Sequence, residues 1–295
     1  MKVLITGANG FLGYYLVKQL LEKGFYVIAT AKGPNRLPFQ EQSNLIYKEM
    51  DITDPFQVHD VFEENKPDVV IHSGAMSKPD ECELNQWNAY LVNVEGTISV
   101  MLNAAEYKSH FIFLSTDFVF DGERGMYNEE DAPNPVNFYG KTKLEAEDAV
   151  KEYEFDWTIV RTITVYGKTH SIRKSFPELI KEKLKQGEVY HVFDDQLRTP
   201  TYVEDLASGI ISVIEKKATG IYHLSGKEVL TPYKMAVKIA DYLKMDSSQL
   251  IKVTASEFPQ PALRPLKTGF MIDKAASELG FKPISFIEGL KKTLS

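Results

Sequence analysis

Three glycines, Gly7, Gly10 and Gly13, stand between the first apolar run of the chain and its first helix-patterned stretch. Val3-Leu4-Ile5 is continuously apolar, as in a parallel strand buried on both faces. From about Phe11 to Glu22 the apolar residues recur with helical period, and Gly24 ends the run. Strand, glycine turn and helix form the opening unit of a doubly wound, Rossmann-type α/β sheet. The glycines permit a tight turn, close approach of backbone N–H groups to a pyrophosphate, and close helix–strand packing. The helix N-terminus then presents unpaired N–H groups to phosphate oxygens. The spacing is G-x-x-G-x-x-G. The candidate cofactor contacts are Gly7, Asn9, Gly10, Phe11, Leu12 and Gly13.

The pattern repeats along the chain. Strands are predicted at Phe25–Thr30, Leu45–Lys48, Asp68–His72, Phe111–Leu114 and Trp157–Arg161, with helices between them. An acid at the end of the second strand would bind ribose hydroxyls and favour NAD. Here Lys32 and Arg36 stand in that region without an acid, which favours the extra phosphate of NADP(H) and leaves NAD(H) possible. The bland alternative makes both ordinary loop charges. Asp51, followed by Ile52, is placed to accept from an adenine amino group, and Asp54 to cap the next helix. Ser73-Gly74-Ala75 follows the fourth strand, where open sheets bind ligands and small residues let a cofactor pass. His72 reads as a packed, hydrogen-bonded residue. Asn93, in a helix over Trp87–Tyr107, is either a cofactor contact or simply a polar residue on the helix surface.

Composition bounds the partners. The 295 residues are 43% hydrophobic and 25% charged, an ordinary soluble globular mixture. With 41 acids against 34 bases the net charge is -7, which argues against nucleic acid as a partner. No apolar run approaches the ~18 residues of a membrane span, and a cytoplasmic protein is expected. The single cysteine, Cys82, lacks metal-ligand spacing, and no metal site is expected.

A second feature concerns chemistry. Tyr139 and Lys143 are four residues apart at the start of a predicted helix, so they share one face. A nearby ammonium favours the phenolate and lowers the phenol's pKa. Such a phenol can exchange a proton with an alcohol or alkoxide. Thr116 and Asp117 follow the fifth strand. Thr116 is placed either to hydrogen-bond a substrate oxygen beside Tyr139 or to make a serine–threonine turn. The intervening loop, Asp121–Asn137, spans 17 residues, a length typical of functional loops.

After Gly167 the rhythm changes. Helices are predicted at about Ser171–Lys185, Val203–Glu215 (capped near Thr201) and Thr231–Leu243, with short strands at Val189–Val192 and Gly220–Leu224. This divides the chain into a dinucleotide-binding domain, residues 1–164 with returning segments near 189–225, and a substrate-binding lobe over 165–295. Arg198 and Arg264 are its candidate anion contacts, or else surface salt bridges.

Together these residues resemble the extended short-chain dehydrogenase/reductases, and within them the dTDP-4-dehydrorhamnose reductase group. Thr6–Gly13 is similar to the family's cofactor loop. Thr116, Tyr139 and Lys143 match its catalytic Ser/Thr, Tyr and Lys in order and spacing. Ser115-Thr116-Asp117-Phe118-Val119-Phe120-Asp121-Gly122 resembles the group's S-T-D-Y-V-F-D-G. Arg198-Thr199-Pro200-Thr201 resembles its R-x-P-T, and Arg264-Pro265 its C-terminal R-P. The likeness covers essentially the whole chain. Departures are Phe11 for a usual Gln, Met76 within an altered A-A-Y-T-x-V-D run, and Thr164 for a Trp; the last two bear on the substrate pocket.

The resemblance implies reduction of a nucleotide-linked keto sugar by NAD(P)H, as in dTDP-rhamnose biosynthesis. Tyr139 would protonate the alkoxide, Lys143 would tune Tyr139 and contact the nicotinamide ribose, and Thr116 would hold the keto oxygen. Asp117 would bind a neighbouring hydroxyl, and Arg198 and Arg264 would meet the diphosphate. Two alternatives share the likeness. One is an NAD-dependent epimerase or dehydratase, although Phe118 replaces a dehydratase's Glu. The other is an NADP-binding regulatory subunit resembling that of methionine adenosyltransferase. A homodimer through the helices near 87–107 and 138–153 is a further expectation.

Overall fold

Short apolar runs become strands and the amphipathic runs between them become covering helices. The computed structural model describes residues 1–39, 43–170 and 174–295. The strands are β1 (Lys2–Thr6), β2 (Tyr26–Ala31), β3 (Leu45–Glu49), β4 (Val69–His72), β5 (His110–Thr116), β6 (Trp157–Thr162), β7 (Val165–Tyr166), β8 (Tyr190–Phe193), β9 (Thr201–Tyr202), β10 (Gly220–His223) and β11 (Leu250–Val253). Seven of them form one parallel sheet in the order β10-β6-β5-β4-β1-β2-β3. The order reverses at β1, which pairs with β2 on one side and β4 on the other, with Thr6 opposite both Thr30 and His72. That reversal leaves a crevice outside the strand ends, the usual ligand position in such sheets.

The helices are α1 (Phe11–Glu22), α2 (Pro55–Asn65), α3 (Pro79–Leu84), α4 (Gln86–Tyr90), α5 (Gly96–Glu106), α6 (Phe138–Lys151), α7 (Phe176–Gln186), α8 (Val203–Lys216), α9 (Pro232–Leu243) and α10 (Phe286–Leu294). Leu16, Leu20, Leu206 and Ile210 bury α1 and α8 against one face of the sheet. Phe62, Val100, Ala104, Ala146 and Val150 bury α2, α5 and α6 against the other. A third core, with Ile180, Leu184, Ile239, Phe286 and Leu290, forms the smaller lobe. No described helix is long and apolar enough to cross a membrane.

The doubly wound sheet agrees with the reading of the sequence, and most strand limits fall within two residues. Asp54 caps α2 as expected, its carboxylate accepting from the Phe56 and Gln57 N–H groups. Several details differ. β10 and α8 return to the main sheet, but Tyr190–Phe193 pairs instead with β11, a strand the pattern did not signal because only its two ends are buried. Helix α7 begins at Phe176, where Ser175 and Glu178 form a reciprocal cap; positions 171–173 of the predicted helix lie outside the described residues. Thr201 does not cap α8. It lies in β9, and its hydroxyl donates to the Ile163 carbonyl at 2.7 Å. The helix from Gln86 to Glu106 carries one wide turn at Leu91–Glu95, a π-type irregularity of the kind common at functional sites.

Candidate active site

The glycine loop closes over the crevice at the sheet reversal. Gly7 has φ +71°, and a Cβ there would sit 3.1 Å from Gly74 at the end of β4. At Gly13 a Cβ would lie 2.4 Å from the Gly7 carbonyl oxygen, so helix and turn touch backbone to backbone. Gly10 begins α1 without a side-chain cap, and the first turn, with Phe11, Leu12 and Gly13, carries no acid. Its N–H groups are therefore left to an anion. Asn9 ties the next loop down: its amide donates to Pro34 O (3.0 Å) and Tyr47 Oη (2.9 Å) and accepts from the Arg36 N–H (2.9 Å). A cleft of about 1030 Å³ opens here between the two lobes, walled by Asn9, Gly10, Phe11, Arg36, His170 and Lys174, among others. The residues fit a dinucleotide phosphate.

Lys32 and Asp51, proposed for different parts of the cofactor, meet each other at 2.7 Å. Burial pushes the Asp51 carboxyl up, but the Lys32 and Thr53 bonds outweigh it and hold it below its ordinary value. Ile52 packs against Gly74 and Gly96. The Ser73 and Gly74 N–H groups both donate to Thr6 Oγ1, at 3.1 and 3.0 Å, which shapes the loop carrying Ala75. His72 is buried between Thr6 Oγ1 (2.9 Å) and Thr97 Oγ1 (3.1 Å), and burial lowers it to about 3, so it is a packed neutral residue.

Asn93 is not a polar residue on the helix surface. It is fully buried at the wide turn, accepts from the Met76 N–H (2.8 Å), and donates to Met76 O (3.1 Å) and Thr142 Oγ1 (3.0 Å). Its amide is engaged within the protein, clamping the loop after β4 to α6. Met76 in turn packs with Phe118 around Tyr139.

Tyr139 and Lys143 lie on the buried face of α6, 9% and 3% exposed. The helix is capped by Asn137, which accepts from Gly140 N–H at 2.8 Å and donates to Leu263 O at 2.7 Å. A Cβ on Gly140 would lie 2.1 Å from Phe118 O, so glycine alone lets α6 settle on the turn after β5. That turn carries Thr116 and Asp117. Thr116 Oγ1 donates to Asp117 Oδ1 (3.2 Å) and accepts from the Phe118 N–H (3.3 Å), and it stands close enough to the Tyr139 phenol to favour the phenolate. The serine–threonine turn expected at Thr116 is present, and it leaves the hydroxyl beside Tyr139.

The expected tuning of Tyr139 runs the other way in this structure. Burial pushes the phenol well above its ordinary value, and the neighbouring Thr116 hydroxyl only partly offsets this. Lys143 is itself lowered to about 7 by burial, against the field of Glu147.

Asp117 is buried, and burial raises its carboxyl although Arg198 Nε stands 3.8 Å away and Thr268 Oγ1 donates to it. The Arg198 guanidinium also donates to Leu197 O, Leu266 O, Pro265 O and Gln196 Oε1. It therefore knits the strap 265–268 to the loop before β9. Arg264 forms a two-point pair with Asp80, at 3.0 and 2.7 Å, on the far side of the same strap. Thr164 adopts φ +36°, rare for a β-branched residue, and its carbonyl accepts from Thr201 N–H at 3.2 Å. His170 and Lys174 at the cleft, and Thr268 at Asp117, carry no signal in the sequence because they sit in irregular stretches that only the tertiary fold brings into place.

The RmlD substrate-binding domain family model matches residues 1–295. The chain belongs to that family. Spore coat polysaccharide biosynthesis protein SpsK of Bacillus subtilis is 32% identical over 294 residues, 99% of this chain and 96% of the relative. Methionine adenosyltransferase 2 subunit beta of Bos taurus is 34% identical over 261 residues, 86% of this chain and 76% of the relative. Among solved RmlD-like structures, the dTDP-4-dehydrorhamnose reductase of Clostridium acetobutylicum aligns with TM-score 0.87 and 33% identity, over 100% of this chain and 98% of that one. The dTDP-4-dehydrorhamnose reductase of Bacillus anthracis, solved with NADP, aligns with TM-score 0.84 and 31% identity, over 99% and 98%. As an RmlD-family chain, this protein shares the full architecture of those reductases.

Proposed function

We propose that this protein is a cytoplasmic NADP(H)-dependent reductase of a nucleotide-linked 4-keto-6-deoxy sugar, of the dTDP-4-dehydrorhamnose reductase type. The observation that carries it is the Thr116–Tyr139–Lys143 constellation at the carboxyl ends of the strands, beside a glycine cradle with a free helix N-terminus. The cradle, Arg36 and the loop 73–75 would hold the dinucleotide, which supplies the hydride when bound. The Thr116 hydroxyl neighbours the Tyr139 phenol, so a keto oxygen seated between them accepts from both hydroxyls. Tyr139 gives its proton to the alkoxide, and Lys143 stabilises the phenolate left behind. Burial of all three excludes water and strengthens these interactions. Asp117, Arg198, Arg264, Met76 and Thr164 border the substrate side; Asp117 there orients a sugar hydroxyl through the Thr268–Arg198 cluster.

The test is NADPH and NADH oxidation, followed by absorbance, with dTDP-4-dehydro-6-deoxy-L-mannose. Rapid oxidation is expected with NADPH. No oxidation with any nucleotide-linked keto sugar would remove the proposal. Phe118, where a dehydratase has Glu, disfavours water elimination. An epimerase would retain its dinucleotide through purification, whereas a reductase releases it.

A second reading rests on the likeness to methionine adenosyltransferase 2 subunit beta. It makes the chain a dinucleotide-binding regulatory subunit. A stable complex with a partner enzyme, in the absence of turnover, is the result that would favour it. For self-association, Trp87 and Leu102 are 75% and 59% exposed on the helical face expected to dimerise. Sedimentation would decide that point.

A further inference from the structure

Glu147 and Arg161 are both fully buried and form a two-point ion pair. Arg161 Nε and Nη2 donate to the two carboxylate oxygens at 2.9 and 2.6 Å. Ser115 Oγ donates to Glu147 Oε1 at 2.5 Å. Arg161 Nη1 stands 3.5 Å from His223 Nε2, and His223 Nδ1 faces Tyr127 O at 3.1 Å. One carboxylate thereby joins α6 to the ends of β5 and β6 and, through His223, to β10. None of the proposed chemistry uses this pair directly.

Stability does not account for it. Desolvating two ions costs several kcal/mol each, and well-packed apolar residues often serve as well or better. Its position is more informative. Tyr139, Lys143 and Glu147 follow at steps of four along one buried stripe of α6, so each lies one turn from the next. Ser115 is the residue before Thr116. The carboxylate therefore links the element carrying the phenol and the ammonium to the strand end carrying the threonine.

We propose that the Glu147–Arg161 pair positions the catalytic helix: it fixes the rotation and height of α6 against Ser115–Thr116 and sets a negative charge one turn beyond the Lys143 ammonium. Its catalytic consequence rests on the reductase reading; its effect on Lys143 does not. The other groups around Lys143 are Tyr139 on the same helix, Cys82 from α3, His72 from β4 and the Phe113 ring from β5. Burial pushes the Cys82 thiol to about 11 and lowers His72 to about 3, so neither is charged near neutrality. Asp117 faces Tyr139. Among the described residues, Glu147 is the carboxylate that favours the Lys143 ammonium against burial.

The experiment follows the Lys143 side-chain NMR titration in the ligand-free protein, assigned by difference with K143M, alongside kcat, KM, NADPH affinity and Tm. E147Q is expected to move the Lys143 titration down by about one pH unit. It should lower kcat at least tenfold, with KM and NADPH affinity within threefold of wild type. The double variant E147L/R161M removes both charges at similar volume. It should regain a near-wild-type Tm yet keep the downward titration shift and the low kcat. E147D, retaining the carboxylate, should restore most of the titration. A double variant with wild-type Lys143 titration and wild-type kcat would overturn the proposal, and it decides the matter even if E147Q fails to fold. Absence of keto-sugar turnover in the wild type would sink the reductase reading while leaving the NMR comparison intact.

Discussion

The Lys143 ammonium stands 3.9 Å above the centre of the Phe113 ring. The ring face attracts the cation, but burial dominates and Lys143 is held at about 7. An anionic dinucleotide beside it would raise that value. Binding of NADPH at pH 8 should then take up a sizeable part of one proton, and Lys143→Met should abolish the uptake. Calorimetry in buffers of differing ionisation enthalpy measures this. The sign for stability follows from the same depression. Between about 7 and 10.5 the unfolded chain binds more protons than the folded one, so this contribution to stability grows with pH across that window. Lys143→Met removes the slope, which urea unfolding at several pH values would reveal.

Tyr139→Phe keeps the ring that packs edge-on to Phe118 and removes the proton donor. A fall in kcat of about 10²–10⁴-fold is expected, with NADPH affinity unchanged. Wild-type turnover in this variant would end the assignment.

Gly140→Ala places a methyl group 2.1 Å from Phe118 O, a backbone atom that cannot swing aside. The helix must lift off the turn carrying Thr116. Destabilisation of about 1–3 kcal/mol and a disproportionate loss of kcat are expected from thermal melts and steady-state rates.

Thr164→Gly relieves a β-branched residue at φ +36°. Strain of this kind costs on the order of 1–3 kcal/mol and collects at ligand-handling positions. The variant should melt higher while its KM for the keto sugar rises. A lower Tm would show that the conformation is unstrained.

Arg36 lines the cleft beside the glycine loop, whereas Lys32 is paired with Asp51. Arg36→Ala should weaken NADPH about tenfold or more and leave NADH nearly unchanged. Equal losses for both would assign Arg36 to the shared phosphates.

The doubly wound sheet was legible because hydrophobic period and glycine placement are local properties. A strand buried on both faces must be apolar throughout, and a turn at φ +71° favours glycine. The phenol and ammonium on one helix face followed from a spacing of four. The chain also carried the family likeness in full. What local pattern could not carry was the pairing of side chains distant in sequence. Local pattern leaves Asn93 either a cofactor contact or a polar residue on the helix surface; the fold buries it against Met76 and Thr142. Local pattern leaves Arg198 and Arg264 either anion contacts or salt bridges; the fold pairs Arg264 with Asp80 and sets Arg198 beside Asp117, bonded to the strap 265–268. A spacing of four predicts that Lys143 lowers the Tyr139 phenol, but burial dominates and raises it. The sequence by itself determined which elements form and which side chains share a face. Only the tertiary structure decided which charges are desolvated and what each one meets, because burial and pairing depend on how all the elements pack together.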